Sequence, residues 1–322
     1  MSKIRFGFLL AGGCAGCETA MVDLSERLVD VLEHLEVMFW APTVADVKYG
    51  DLEEMEDGSL DLAFVDGMVR LDEHEHMIKV LRRKSKVLVA FGICASLGGI
   101  PAMANLYDKE ELFKEAYIES VSTENPEGIF PQPEYLVDGK YPLTLPRFLD
   151  KVRSVGDVVE VDYMVGGCPP HHEFIGKIVE KILDNDLPPK GSWITGGKSV
   201  CDVCKRNPGT RSRMRGSVSE IKRATDIAEE DRCLLEQGYL CLGAMTQGDC
   251  GASCPGVNMP CRGCGGPMPE IKDFGSRCIA TIGSMLKDPG VAADIKKKYG
   301  DLRKLFYRYS FVGSFIDRTS NK

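Results

Sequence analysis

No stretch of the 322-residue sequence is apolar over the length a bilayer crossing demands, which argues against a membrane-embedded role. Nor does a charged region, apolar segment and cleavage site, or a twin-arginine signal, precede the first apolar run, Ile4 to Leu10. Cytoplasmic residence is the expectation. A basic stripe able to displace phosphate counterions is also missing, and the formal net charge is −8, so nucleic acid is not an expected partner. What the sequence has in excess is cysteine. Thirteen thiols in a reducing compartment do not persist as disulfides, and metal binding accounts for them most economically. With 43% apolar content the chain can bury a full core, and its length suits one large domain with a smaller one.

The first cysteines fall in Gly12-Gly13-Cys14-Ala15-Gly16-Cys17-Glu18, directly after Ile4 to Leu10. That run reads as a buried strand, the glycines as its exit turn, and Glu18 to Leu35 as the helix that follows. Val87 to Gly92 leads in the same way into Cys94, and Val158 to Gly167 into Cys168-Pro169-Pro170. Further strands are expected at Val37 to Trp40 and Leu60 to Val65, and helices at Asp72 to Lys84 and His171 to Asn185. The alternation specifies an α/β fold, a doubly wound parallel sheet resembling the flavodoxin-like order. Its C-terminal strand edge is where ligands collect, so Cys14, Cys17, Cys94 and Cys168 can meet there. Glycines at 12, 13, 16, 92, 166 and 167 would let backbone amides approach a bound cluster.

Two regions break the pattern. Asp51 to Ser59 reads as acidic surface, and Glu119 to Pro146, with five prolines, as a long irregular insertion suited to function or partner contact. Pro146 to Val152 has helical spacing. Asp186 to Gly191 marks a boundary, beyond which eight cysteines lie between Cys201 and Cys264 with one expected helix, Ser217 to Ala228. So loop-rich a segment depends on its metal for folding. The expected division is 1–186, a flavodoxin-like domain; 187–288, a cysteine-rich domain; and 289–322, a helical tail whose aromatics pack on the core.

Within the second region the spacings are Cys201-x2-Cys204, Cys233-x7-Cys241, Cys250-x3-Cys254 and Cys261-x2-Cys264. Eight thiols can hold two four-iron clusters, with the preferred division Cys201, Cys204, Cys233, Cys241 and Cys250, Cys254, Cys261, Cys264. An interleaved pairing is open, and so is structural zinc, because thiolates suit both. Cys278, left over in an apparently helical stretch, reads as a buried free thiol. Glu18 at a helix start suits the dipole or, more sharply, a proton relay. Asp66 reads as a turn former, and His171 and His172 as helix-terminal contacts.

Together these motifs resemble the small subunit of nickel-iron hydrogenases. The resemblance implies that Cys14, Cys17, Cys94 and Cys168 hold a proximal cluster. It also implies that Cys250, Cys261 and Cys264 are medial ligands, and Cys201, Cys204, Cys233 and Cys241 distal ones. Respiratory periplasmic members carry histidine where Cys201 stands and no thiol matching Cys254, so three 4Fe-4S clusters are expected here. Glu18 stands one position earlier than in the respiratory pattern. The likeness is to the cytoplasmic, archaeal, deazaflavin-non-reducing branch. It implies a nickel-iron large subunit as partner, an iron-sulfur adaptor subunit as electron receiver, and heterodisulfide reductase beyond it. Every Cys-x-x-Cys pair is already assigned, so the nickel-iron centre belongs on another chain. A deazaflavin-reducing small subunit and a non-redox zinc-binding assembly or regulatory protein are the alternatives.

Overall fold

The computed structural model describes residues 3–41, 47–207 and 218–319. Strands β1 (Ile4–Leu10), β2 (Leu35–Ala41) and β3 (Leu60–Asp66) are followed by the short β4 (Val69–Leu71) and by β5 (Ser85–Phe91). Then come β6 (Glu134–Val137), β7 (Tyr141–Thr144), β8 (Phe148–Arg153), β9 (Tyr163–Val165) and β10 (Ser192–Trp193). Six of these form one sheet in the order β10-β9-β5-β3-β1-β2, every pairing parallel. Counted among themselves, the first five run 2-1-3-4-5, the flavodoxin-like arrangement expected from the sequence.

The sheet is covered on both faces, as a parallel sheet must be. The helices of this half are α1 (Gly16–Val22), α2 (Glu26–His34), α3 (Tyr49–Glu54), α4 (Asp72–Lys84), α5 (Ile93–Leu97), α6 (Lys109–Lys114) and α7 (His172–Leu183). Alternate residues of β1 serve the two faces: Phe6 and Phe8 join Trp40, Phe64, Phe91 and Ile175, whereas Leu9 joins Val65, Ile78 and Leu88. Phe64 and Phe91 stack at 4.8 Å, and Phe8 lies 5.0 Å from Trp40. These rings fix the strand ends that carry the cysteines.

Several expectations are corrected. The helix expected over Glu18 to Leu35 is broken into α1 and α2, because Ser25 adopts φ 56° between them. Asp51 to Ser59 opens inside α3, with Leu52 fully buried. Pro146 to Val152 is not a helix: Phe148–Arg153 is strand β8, antiparallel to β4. The insertion contains the hairpin β6–β7, with seven of its eight strand residues exposed. Residue 217 of the expected helix Ser217 to Ala228 lies outside the described residues. From Val218 onward that segment is irregular, bridging Leu286 through Val218 and Tyr239 through Lys222.

Beyond β10 the chain forms short helices α8 (Val200–Val203) and α9 (Ser253–Gly256), then α10 (Phe274–Gly283), α11 (Pro289–Tyr299), α12 (Leu302–Phe306) and α13 (Phe315–Thr319). The tail shares one apolar core with the cysteine-rich segment, through Leu242, Phe274, Ile282, Val291, Phe306 and Phe311. Asp273 fastens it, accepting from Ser276 N at 2.7 Å, Phe315 N at 2.8 Å and Tyr307 Oη at 2.9 Å. Cys278 is fully buried in α10. Among the described residues no helix is long and apolar enough to cross a membrane.

Candidate metal centres

The first thiol group forms at the C-terminal edge of the sheet. After β1 the turn is tied to β3 by Ala11 N donating to Asp66 O at 2.8 Å, and Gly12 and Met68 exchange both backbone bonds. Cys17 then enters in the first turn of α1 and Cys94 in that of α5, while Cys168 follows β9 through Gly166 and Gly167. Ser96 Oγ lies 3.2 Å from Ala90 O and 3.0 Å from Val165 O, joining two of the three strand ends. Burial pushes the Cys94 thiol up to about 12, and Cys168, Asp66 and Cys14 add to the effect. Cys17 and Cys168 are raised by burial too, with neighbouring thiols and Asp66 contributing. Cys14 and Cys168 are exposed and Cys17 buried, so the group opens on one side.

Glycine makes this group possible. A Cβ on Gly92, whose φ is +90°, would lie 2.4 Å from Cys17 Sγ, and one on Gly99, at φ +57°, would lie 2.4 Å from Cys94 Sγ. Gly99 carries no sequence signal, since it lies past the strand-end motif. Asp66 is 2% exposed and ends β3 against Cys17. Burial raises its carboxyl to about 6, partly offset by the Cys17 side chain and by the Gly67 and Cys17 amides. Glu18 is 1% exposed, and Trp40 Nε1–H donates to its Oε1 at 3.1 Å. His171 occupies the position before α7 without a side-chain capping bond and stacks on His172 at 4.4 Å.

The other eight thiols gather in loops. Burial raises Cys201 to about 12, with Cys241, Cys233 and Cys204 acting on it in turn. Burial likewise raises Cys264 to about 12, with Cys250, Cys254 and Cys168 as its neighbours, and Cys261 is raised by burial, Cys241 and Cys264. Nearby backbone amides partly offset the rise: Ile100 at Cys94, Glu236 and Leu235 at Cys233, Gly243 and Cys261 at Cys241, and Gly263 at Cys261. The Cys261 N–H reaches Cys241 Sγ at 3.3 Å. Arg206, which belongs to no sequence motif, gathers the loops: it donates to the carbonyls of Pro255 and Glu229 at 2.8 Å, Glu230 at 3.0 Å and Arg232 at 3.1 Å. Its role rests on distant carbonyls, which leave no local pattern.

The donor set suits iron-sulfur chemistry. Buried thiols that repel one another are stable as thiolates only beside compensating positive charge, which a metal supplies. Amides directed at cysteine sulfur, in a glycine-lined cradle, are the hydrogen bonds that tune such clusters.

Comparison with known proteins agrees. Residues 14–182 match the family described as NADH ubiquinone oxidoreductase, 20 Kd subunit. The chain is 58% identical to the iron-sulfur subunit of the F420-non-reducing hydrogenase of Archaeoglobus profundus, over 98% of each chain. It is 33% identical to a subunit of the F420-non-reducing hydrogenase of Methanothermobacter marburgensis, covering 98% of this chain and 96% of that one. The NiFeSe hydrogenase structure from Desulfovibrio vulgaris Hildenborough aligns with 85% of this chain and 96% of its own, at TM-score 0.53 and 18% identity, a likeness of fold. The fold, the thiol-rich strand edge and these full-length relatives agree that the chain belongs to the nickel-iron hydrogenase small subunits, of the F420-non-reducing type.

Proposed function

We propose that the chain carries electrons between a nickel-iron large subunit and an external acceptor through three 4Fe-4S clusters. Cys14, Cys17, Cys94 and Cys168 would hold the proximal one, Cys250, Cys254, Cys261 and Cys264 the medial, and Cys201, Cys204, Cys233 and Cys241 the distal. Each cluster, when bound, takes up and gives back one electron, and oxidation of one hydrogen molecule supplies two electrons and two protons. The observation that supports this reading is the placement of the thiols: Cys14, Cys17, Cys94 and Cys168 follow three strand ends at one edge of the parallel sheet, and in the loops beyond it the Cys261 N–H reaches Cys241 Sγ at 3.3 Å.

The chain's own residues position and tune. Gly92 and Gly99 admit the sulfurs of Cys17 and Cys94 beside the backbone. The exposure of Cys14 and Cys168 supports a proximal site at the surface, where a large subunit can cover it. Electrons entering there would leave from the distal group toward an iron-sulfur adaptor subunit and heterodisulfide reductase, with the whole assembly in the cytoplasm. Glu18 is assigned as a proton relay because it is buried beside Cys17 and held by Trp40. Glu18→Gln should slow hydrogen turnover with iron content unchanged; unchanged turnover removes that role. The experiment for the main reading is anaerobic purification from native cells. Recovery of a brown complex with a nickel-containing large subunit, whose visible absorbance bleaches under hydrogen, supports it. A colourless chain containing zinc refutes it.

A further inference from the structure

Where the first thiol group meets the second, two glycines face one another. We infer that Gly166 and Gly265 are positioning residues that hold the proximal and medial sites in direct contact, linked by the backbone of Gly167 and Cys264. The inference rests on the cluster assignment above and adds to it the residues that set the coupling between two of the sites.

The contact is made of backbone. Gly167 N–H, one residue before Cys168, donates to Cys264 O at 3.0 Å. A Cβ on Gly166 would lie 1.9 Å from Gly265 O, closer than any side chain allows, so only glycine lets the two segments approach this far. Gly265 is held from behind as well, because its own Cβ would fall 2.6 Å from Gln247 O. Gln247 does not yield: it is 1% exposed, its N–H donates to Gly266 O at 3.1 Å, and its Nε2 donates to Pro267 O at 2.7 Å. Gly166 directly follows β9 and Gly265 sits in the cysteine-rich segment, so this wedge joins the two halves of the chain at their thiols. The Cys261 N–H to Cys241 Sγ bond, at 3.3 Å, joins the second group to the third.

The test uses the complete complex, purified anaerobically, with Gly166→Ala and Gly265→Ala. Gly283→Ala serves as control, since its Cβ would meet nothing within 4 Å. Three quantities are read: iron per chain, the spin-spin splitting of the hydrogen-reduced clusters in electron paramagnetic resonance, and the freeze-quench rate at which the medial signal follows the proximal one. With iron retained, the two junction variants should show a narrowed splitting and a rate lower by on the order of tenfold, as small misplacements of interacting groups do. Gly283→Ala should change neither. Loaded junction variants with wild-type splitting and rate overturn the inference. If both variants lose iron, the wild type decides. Its fully reduced spectrum should show splitting that vanishes when one of the two clusters is oxidised, and independent signals overturn the coupling. An iron-free wild-type complex would instead refute the cluster assignment.

Discussion

Gly92→Ala should empty the proximal site and leave the other two filled. Gly92 has φ 90° and ψ 162°, a combination almost confined to glycine, and alanine there costs about 1–3 kcal/mol in backbone strain. The added Cβ would also stand 2.4 Å from Cys17 Sγ, where ordinary contact begins at 3.4 Å, so the sulfur must retreat by about 1 Å. A metal-thiolate bond of about 2.3 Å cannot follow such a shift, and Cys17 is walled in at 7% exposure. Gly58→Ala separates the two effects, because Gly58 has φ +71° with nothing within 4 Å of its Cβ. That variant carries backbone strain alone and should keep its iron. The assay is colorimetric iron on the anaerobic complex, joined to electron paramagnetic resonance. Gly92→Ala should fall from about twelve irons to about eight, one four-iron set, with one signal missing. Full iron and three unchanged signals would refute the reasoning about the cradle.

Other perturbations probe other parts of the chain. Cys254→Pro should convert the medial four-iron signal to a three-iron one in the oxidised state, with about one iron lost; an unchanged four-iron signal removes Cys254 from the ligands. Burial by itself would raise the Asp162 carboxyl, but Lys190, Arg82 and the Leu88 amide hold it below its ordinary value. Its stabilisation is therefore present above the unfolded value near 3.9 and lost as pH falls through the lower folded value. Asp162→Asn should lower stability at pH 7 by roughly 1.5–3 kcal/mol, with the difference from wild type in thermal unfolding closing below about pH 4. Asp273→Ala strips three donors of their acceptor and should cost about 2–4 kcal/mol, seen as faster proteolysis within residues 289–319.

Much of the fold was legible because its signals are local. The run Val87 to Gly92 falls on β5, and the spacing of Met77, Ile78 and Leu81 marks α4 over the residues expected, Asp72–Lys84. The misreadings fall where a distant partner outweighs the local period. Phe148, Leu149 and Val152 have helical spacing, yet β4 offers a strand to pair with, and extended backbone wins. Val218 and Ile221 are both buried at the spacing of one helical turn, but their segment bridges Leu286 and Tyr239 instead. The strand-end positions of Cys14, Cys17, Cys94 and Cys168 were legible because cysteine is chemically distinctive and follows glycine there. Gly99, Gly265 and Arg206 were not visible, since each acts through backbone brought close only by folding.

Crystals of the native complex measured at the iron and zinc absorption edges test the central claim most directly. Three compact iron peaks are expected, one bounded by Cys14, Cys17, Cys94 and Cys168, one by Cys250, Cys254, Cys261 and Cys264, and one by Cys201, Cys204, Cys233 and Cys241. Zinc at any of the three, or sulfurs of one set divided between two peaks, would contradict it.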